Sequence, residues 1–203
     1  MRLSFRGNER GDTIIEVLFA VTVFAMVAVG AMTIMNQGTA TAQRSLEITL
    51  VRQQIDAQAE AIRYIHQAYV SAYPDVTTGK AIEWTKMKAK GVSQASVFGQ
   101  INGTSCPAAL PANAFILNAH TASISTVPPT MEPPAGISVP PFAQVQYTGD
   151  VFLRSYGIWI EAVPSNVSNG TAFVDFHIRA CWASAGSNVP VTLGTIVRLY
   201  EPN

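Results

Sequence analysis

The sequence predicts an α+β protein, with one long N-terminal α-helix packed on a C-terminal antiparallel β-sheet. Three observations predict it. Nineteen consecutive residues, Val17 to Met35, carry no charge. From Thr39 to Ala72 there is no proline, and apolar residues recur at steps of three and four. The last third alternates apolar and polar residues between turn-rich links, the period of a half-buried strand.

At the start stand Arg2, Arg6 and Arg10, then Gly11-Asp12-Thr13-Ile14-Ile15-Glu16 and the uncharged run. As a helix this run spans about 28 Å at 1.5 Å per residue, close to the hydrocarbon thickness of a bilayer. The three arginines place its N-terminus in the cytoplasm and everything from about Asn36 onward outside. Glu16 needs a separate reason, because a carboxylate costs roughly 2.5–3.5 kcal/mol at the centre of a spanning helix and less near its end. A secretory signal peptide is a weaker reading. Its apolar core is about 7–15 residues long and ends at a small-residue site, and cleavage at Val29-Gly30-Ala31 would discard the most distinctive stretch.

The segment Arg10 to Met35 resembles the processing site of type IV prepilins and of the related pseudopilins of type II secretion systems. In that family a basic leader ends in Gly, a prepilin peptidase cuts after it and methylates the new terminus, and Glu stands fifth in the mature chain. The resemblance implies cleavage between Gly11 and Asp12, with Glu16 as the assembly residue. It departs at Asp12, where the family usually has Phe or Met, and methylation there does not follow. It further implies a membrane assembly platform, lipid before assembly, and other copies or related pilins afterward as partners. The residues give Glu16 a physical role as well. A new amino terminus packed among helices is an expensive unpaired charge, and a carboxylate one turn along neutralises it, in the same subunit or a neighbour. Asp12 and Glu16 repel weakly at i and i+4, but the positive end of the helix dipole offsets this.

Five segments follow: a leader at 1–11, an apolar helix at 12–35, its amphipathic continuation at 36–76, a variable region at 77–142, proline-rich at 126–142, and a sheet at 143–203. Gly30 and Asn36-Gln37-Gly38 are poor helix formers. In the family the corresponding region loses helical structure on entering the filament, which places any such change at Gly30 to Thr39. Beyond it Ile48, Val51, Ile55, Ala59, Ile62, Ile65 and Tyr69 form one stripe, with Arg44, Glu47, Arg52, Asp56, Glu60 and Arg63 as the polar remainder. Pro74 disfavours helical geometry at Tyr73 and ends the helix.

All four lysines, Lys80, Lys86, Lys88 and Lys90, lie near Trp84. Read as an exposed ring, Trp84 would stack on bases while Lys86, Lys88 and Lys90 neutralise phosphates, a nucleic-acid contact. A solvated loop or short helix is the favoured alternative. Cys106 to Phe142 contains Pro-Pro pairs starting at Pro128, Pro133 and Pro140, which predict an extended, exposed connection with no packed core. Strands are predicted at Gln144–Tyr147, Tyr156–Val163, Thr171–Trp182 and Thr192–Glu201. In the third, Val174, Phe176, Ile178, Ala180 and Trp182 face the helix stripe, while Asp175, His177, Arg179 and Cys181 face away. Two cysteines in an oxidising exterior read as one disulfide, Cys106 to Cys181, worth roughly 4 kcal/mol in the chain-entropy model; two free buried thiols are the alternative.

Without its leader the chain carries ten basic and twelve acidic residues, so no global charge recruits nucleic acid. His66, His120 and His177 are scattered, no phosphate loop or nucleophile elbow appears, and neither a catalytic site nor a cofactor or metal site is expected. The sequons at Asn102, Asn166 and Asn169 are frequent chance matches. The expectation is a filament subunit. The alternatives are a minor pilin or secretion pseudopilin, and a singly anchored surface binding protein that forms no filament.

Overall fold

The computed structural model describes residues 12–77, 79–93, 105–132, 140–165, 172–184 and 186–202. In chain order the elements are α1 (Asp12–Ala72), α2 (Ala81–Ala89), β1 (Leu117–Asn118), β2 (Ser123–Ile124), β3 (Gln144–Thr148), β4 (Val151–Tyr156), β5 (Ile158–Pro164), β6 (Phe173–Trp182) and β7 (Val191–Tyr200). The chain divides into two units, Met1–Gln43 and Arg44–Asn203.

In the first unit α1 is helical without interruption, Gly30 to Thr39 included. A Cβ added at Gly30 or Gly38 would meet nothing within 4 Å, so neither glycine is needed for close packing inside the chain. In the second unit α1 covers the sheet. Val51, Ile55, Ala59, Ile62 and Ile65 share one core with Val174, Phe176, Ile178, Ala180 and Trp182 of β6. The helix ends at Ala72, ahead of Pro74 as expected.

The main sheet is antiparallel with order β5-β6-β7, and β6 pairs with β7 over ten positions from Phe173↔Tyr200 to Trp182↔Val191. The predicted strand Tyr156–Val163 begins instead at Ile158. Gly157, at φ +67°, breaks the chain between two strands, and a Cβ there would lie 2.5 Å from the Cys181 carbonyl oxygen. Tyr156 therefore belongs to β4, which pairs with β3 as a separate ribbon. β4 corresponds to none of the predicted strands. Gly149, at φ +58° between β3 and β4, is the turn signal that marks it.

Two further expectations are corrected. The Cys106–Phe142 segment does enter the core. Phe115, Ile116 and Leu117 are buried, and Phe115 exchanges both backbone bonds with Ile160, at 3.0 and 2.8 Å. The proline content hid an apolar run too short to show a period. Glu47, placed with the solvated residues, is buried; its Oε2 accepts from Trp182 Nε1 at 3.0 Å and Ser184 Oγ at 2.6 Å. Gln58, about which no expectation was stated, is buried as well. Its amide donates to the Leu117 carbonyl and accepts from the Leu117 N–H, both at 3.0 Å, as a strand backbone would.

Candidate assembly helix and the lysine segment

The first unit contributes a helix that, among the described residues, has no tertiary packing along its apolar length. Between Ile14 and Met35 its large side chains are all exposed, from Val23 at 45% to Met26 at 76%. Water does not tolerate such a surface; lipid or another protein must cover it. Both threonine hydroxyls in this stretch are internally satisfied, with Thr22 Oγ1 donating to the Phe19 carbonyl at 2.8 Å and Thr33 Oγ1 to the Val29 carbonyl at 2.9 Å. Such back-bonding leaves no hydroxyl demanding water, as a hydrocarbon environment requires. Among the described residues one helix is long and apolar enough to cross a membrane. Glu16 lies one turn inside its N-terminus and is exposed, beside the unpaired N–H groups that make a helix start electropositive. Asp12 begins the helix, whereas Gly11 and the rest of the leader lie outside the described residues.

The lysine segment differs from its sequence reading. Trp84, expected to be exposed, is fully buried. Its ring packs against His66 at 4.8 Å, Tyr69 at 5.5 Å and Phe176 at 5.4 Å between centroids, so no face remains for a base. It sits on the inner side of α2, whose spacing also buries Ala81 and Met87. Lys86 pairs with Glu83 at 2.7 Å and Lys88 with Glu201; Lys90 makes no ion pair among the described residues. Two of the three proposed phosphate contacts are thus already neutralised.

Glu83 is a buried residue of α2 that the sequence reading did not single out. Burial pushes its carboxyl pKa up, but the Lys86 ammonium, the Ile124 N–H at 2.9 Å and nearby Lys80 outweigh that and hold it below the ordinary value of 4.5. Its ionised form therefore stabilises the fold fully above the unfolded value, and the contribution is lost as pH falls through the lower folded value. Glu83→Gln is expected to cost about 1–2 kcal/mol at neutral pH. In acid titration by circular dichroism the gap to the parent should narrow below about pH 4.5. A gap constant across this range would contradict the assignment.

The cysteines meet as expected. Cys106 and Cys181 are bonded at 2.10 Å, and with Ala114, Trp159, Leu110 and Met131 they form a second small core on the face of the sheet away from α1. The same face buries Glu161 and Arg179, cross-strand neighbours of His177 and Trp159, with Trp159 Nε1 donating to Glu161 Oε1 at 2.9 Å. His177 is half-buried there, its pKa lowered by burial and by Arg179. The three histidines lie apart: His66 on α1 bonds the Tyr200 carbonyl at 2.8 Å, and His120 stacks on Tyr147. Among the described residues no group of three or more His, Cys, Asp or Glu is placed to hold a metal ion. Asn102, Asn166 and Asn169 lie outside the described residues.

Buried polar residues such as Glu47 and Gln58 thus tie elements together in the second unit, and exposed apolar residues dominate the first. No family model, curated protein or solved structure matches this chain.

Proposed function

We propose that the chain is a structural subunit of a type IV pilus or related surface filament, held in the membrane by α1 before assembly and packed through the same helix afterward. The observation that carries this reading is the exposed apolar length of α1 with a carboxylate one turn from its start. A plain anchor has no use for Glu16, since burying it in lipid is a net cost. In a bundle of helices it neutralises the amino terminus created by cleavage after Gly11, its own or a neighbour's. The processing enzyme would be a prepilin peptidase, and the domain from Arg44 onward would face outward.

Glu16→Ala is the direct test. A filament subunit bearing it is expected to lose sheared filaments by tenfold or more while its level in the membrane stays equal or rises. Unchanged filaments would refute the role of Glu16. A membrane-held chain that never forms filaments, even as wild type, would instead be a surface anchor. Mass spectrometry of the mature N-terminus is expected to find Asp12; an intact Met1 would remove the processing step.

A further inference from the structure

A groove in the second unit lies between α1 and the tip joining β1 to β2, with a volume of about 630 Å³. That is the size range of small-molecule sites. It exists because four lining residues, Ala57 and Ala61 on α1 and Ala119 and Ala122 at the tip, have nothing beyond Cβ to fill it. Its walls carry Tyr64, His120, Glu60 and Lys80.

The tip is held more firmly than a surface turn needs. Asn118 Oδ1 accepts from the N–H groups of His120 at 3.0 Å and Thr121 at 3.3 Å, while its Nδ2 donates to the Asp150 carbonyl at 2.8 Å. The Ala119 N–H donates to Tyr147 Oη at 3.3 Å, and Lys80 Nζ donates to the Thr121 carbonyl. Ala122 is fixed at φ +45°, a conformation a non-glycine residue adopts only when its surroundings impose it. The His120 ring is clamped between a parallel stack on Tyr147, 4.2 Å between centroids, and Asp150 at 3.4 Å, yet 46% of its side chain stays exposed. Tyr64 opposite is 56% exposed. A fixed His120 ring and an exposed tyrosine beside an unfilled floor are what a partly preorganised site offers a ligand.

We propose that this groove binds a neutral saccharide. Its polar side chains already have partners, Glu60 with Arg63, Lys80 with the Thr121 carbonyl and His120 with Asp150 just outside the lining, so an ion of either sign would have to compete with an existing contact. A wholly apolar ligand would strip water from Glu60 and Lys80 without replacing their hydrogen bonds. A sugar ring satisfies both demands. Its C–H face packs on the aromatic rings and the alanine floor, and its hydroxyls donate to the carboxylate and accept from the ammonium. The site belongs to the second unit and does not depend on assembly by α1.

The test uses the full chain in phosphocholine micelles, which carry no sugar headgroup, titrated with glucose, galactose, mannose and N-acetylglucosamine and followed by NMR. At least one sugar is expected to bind saturably with a Kd of about 1–10 mM, as suits an open site, with shifts centred on Tyr64 and His120. Tyr64→Ala, and Ala57→Leu, which adds bulk at the exposed edge of the groove, should each weaken it tenfold or more, while Leu46→Ala, outside the groove, should leave it unchanged. Saturation by none of the four, shifts centred elsewhere, or unchanged binding in both groove variants would each overturn the proposal.

Discussion

Trp84→Ala is expected to destabilise the second unit by about 3–5 kcal/mol, the range for deleting a buried aromatic ring. The ring joins three elements, touching His66 and Tyr69 of α1 and Phe176 of β6 from its place on α2. Its removal leaves a cavity between helix and sheet that none of them can close alone. Trp84→Phe separates packing from polarity. Trp84 Nε1 is buried without a hydrogen-bond partner among the described residues, and an unsatisfied buried donor costs about 1–3 kcal/mol. Phenylalanine keeps most of the ring and removes that donor, so it should cost less than half as much as alanine. Denaturant midpoints of the two variants, at an unchanged slope, are the measurement. A loss below about 1 kcal/mol for Trp84→Ala would mean that the ring does not hold α2 to the core.

The same residue shows where sequence reading reached its limit. Four lysines around a tryptophan look like a basic, aromatic surface because local composition reports charge and says nothing of which turn of a helix faces inward. Trp84 is buried by His66, Tyr69 and Phe176, and no window around position 84 contains them. Elements with a sustained period were legible. The α1 stripe and the alternation of β6 run long enough for packing to follow from spacing, and from that alternation Cys181 falls on the face away from α1, where its bond to Cys106 lies. Ala114 to Leu117 is too short for a period to show.

Glu47 was expected in solvent although the signal for burial was available, and the same signal marks Gln58. Glu47 precedes Val51 by four residues, and Gln58 falls three after Ile55 and four before Ile62, so both stand on the apolar stripe itself. A polar residue on such a stripe should be assigned a buried partner before it is assigned to solvent. Here the partners are Trp182 with Ser184, and the backbone of Leu117. The groove between α1 and the β1–β2 tip was beyond reach for a different reason. It consists of what four alanines leave empty, and absence of volume has no pattern along a chain.

Replacing both Cys106 and Cys181 by alanine is expected to lower stability by roughly 4 kcal/mol, because the crosslink spans 75 residues and its loss restores that loop's freedom to the unfolded chain. The native arrangement should nevertheless survive. Beyond the disulfide, the connecting segment is held to the sheet by the paired bonds of Phe115 and Ile160, by Thr130 N–H to the Ser155 carbonyl at 3.0 Å, and by Gly157 N–H to the Thr130 carbonyl at 2.9 Å. What loosens is the arm from Cys106 to Pro111, whose packing includes Leu110 against Trp159 and Met131 in the small second core. Hydrogen exchange should therefore separate two effects. Amides of β6 and β7 exchange faster only by the global loss, whereas the Ala114 amide, which bonds the Pro111 carbonyl at 2.9 Å, loses protection beyond it and Trp159 fluorescence shifts to the red. If exchange rises equally everywhere, the bond acts on the unfolded chain alone. If the β5 amides at Ile158 and Ile160 lose protection with the arm, it also holds the edge of the sheet, and the backbone pairing of Phe115 is then a consequence of the crosslink instead of an independent anchor.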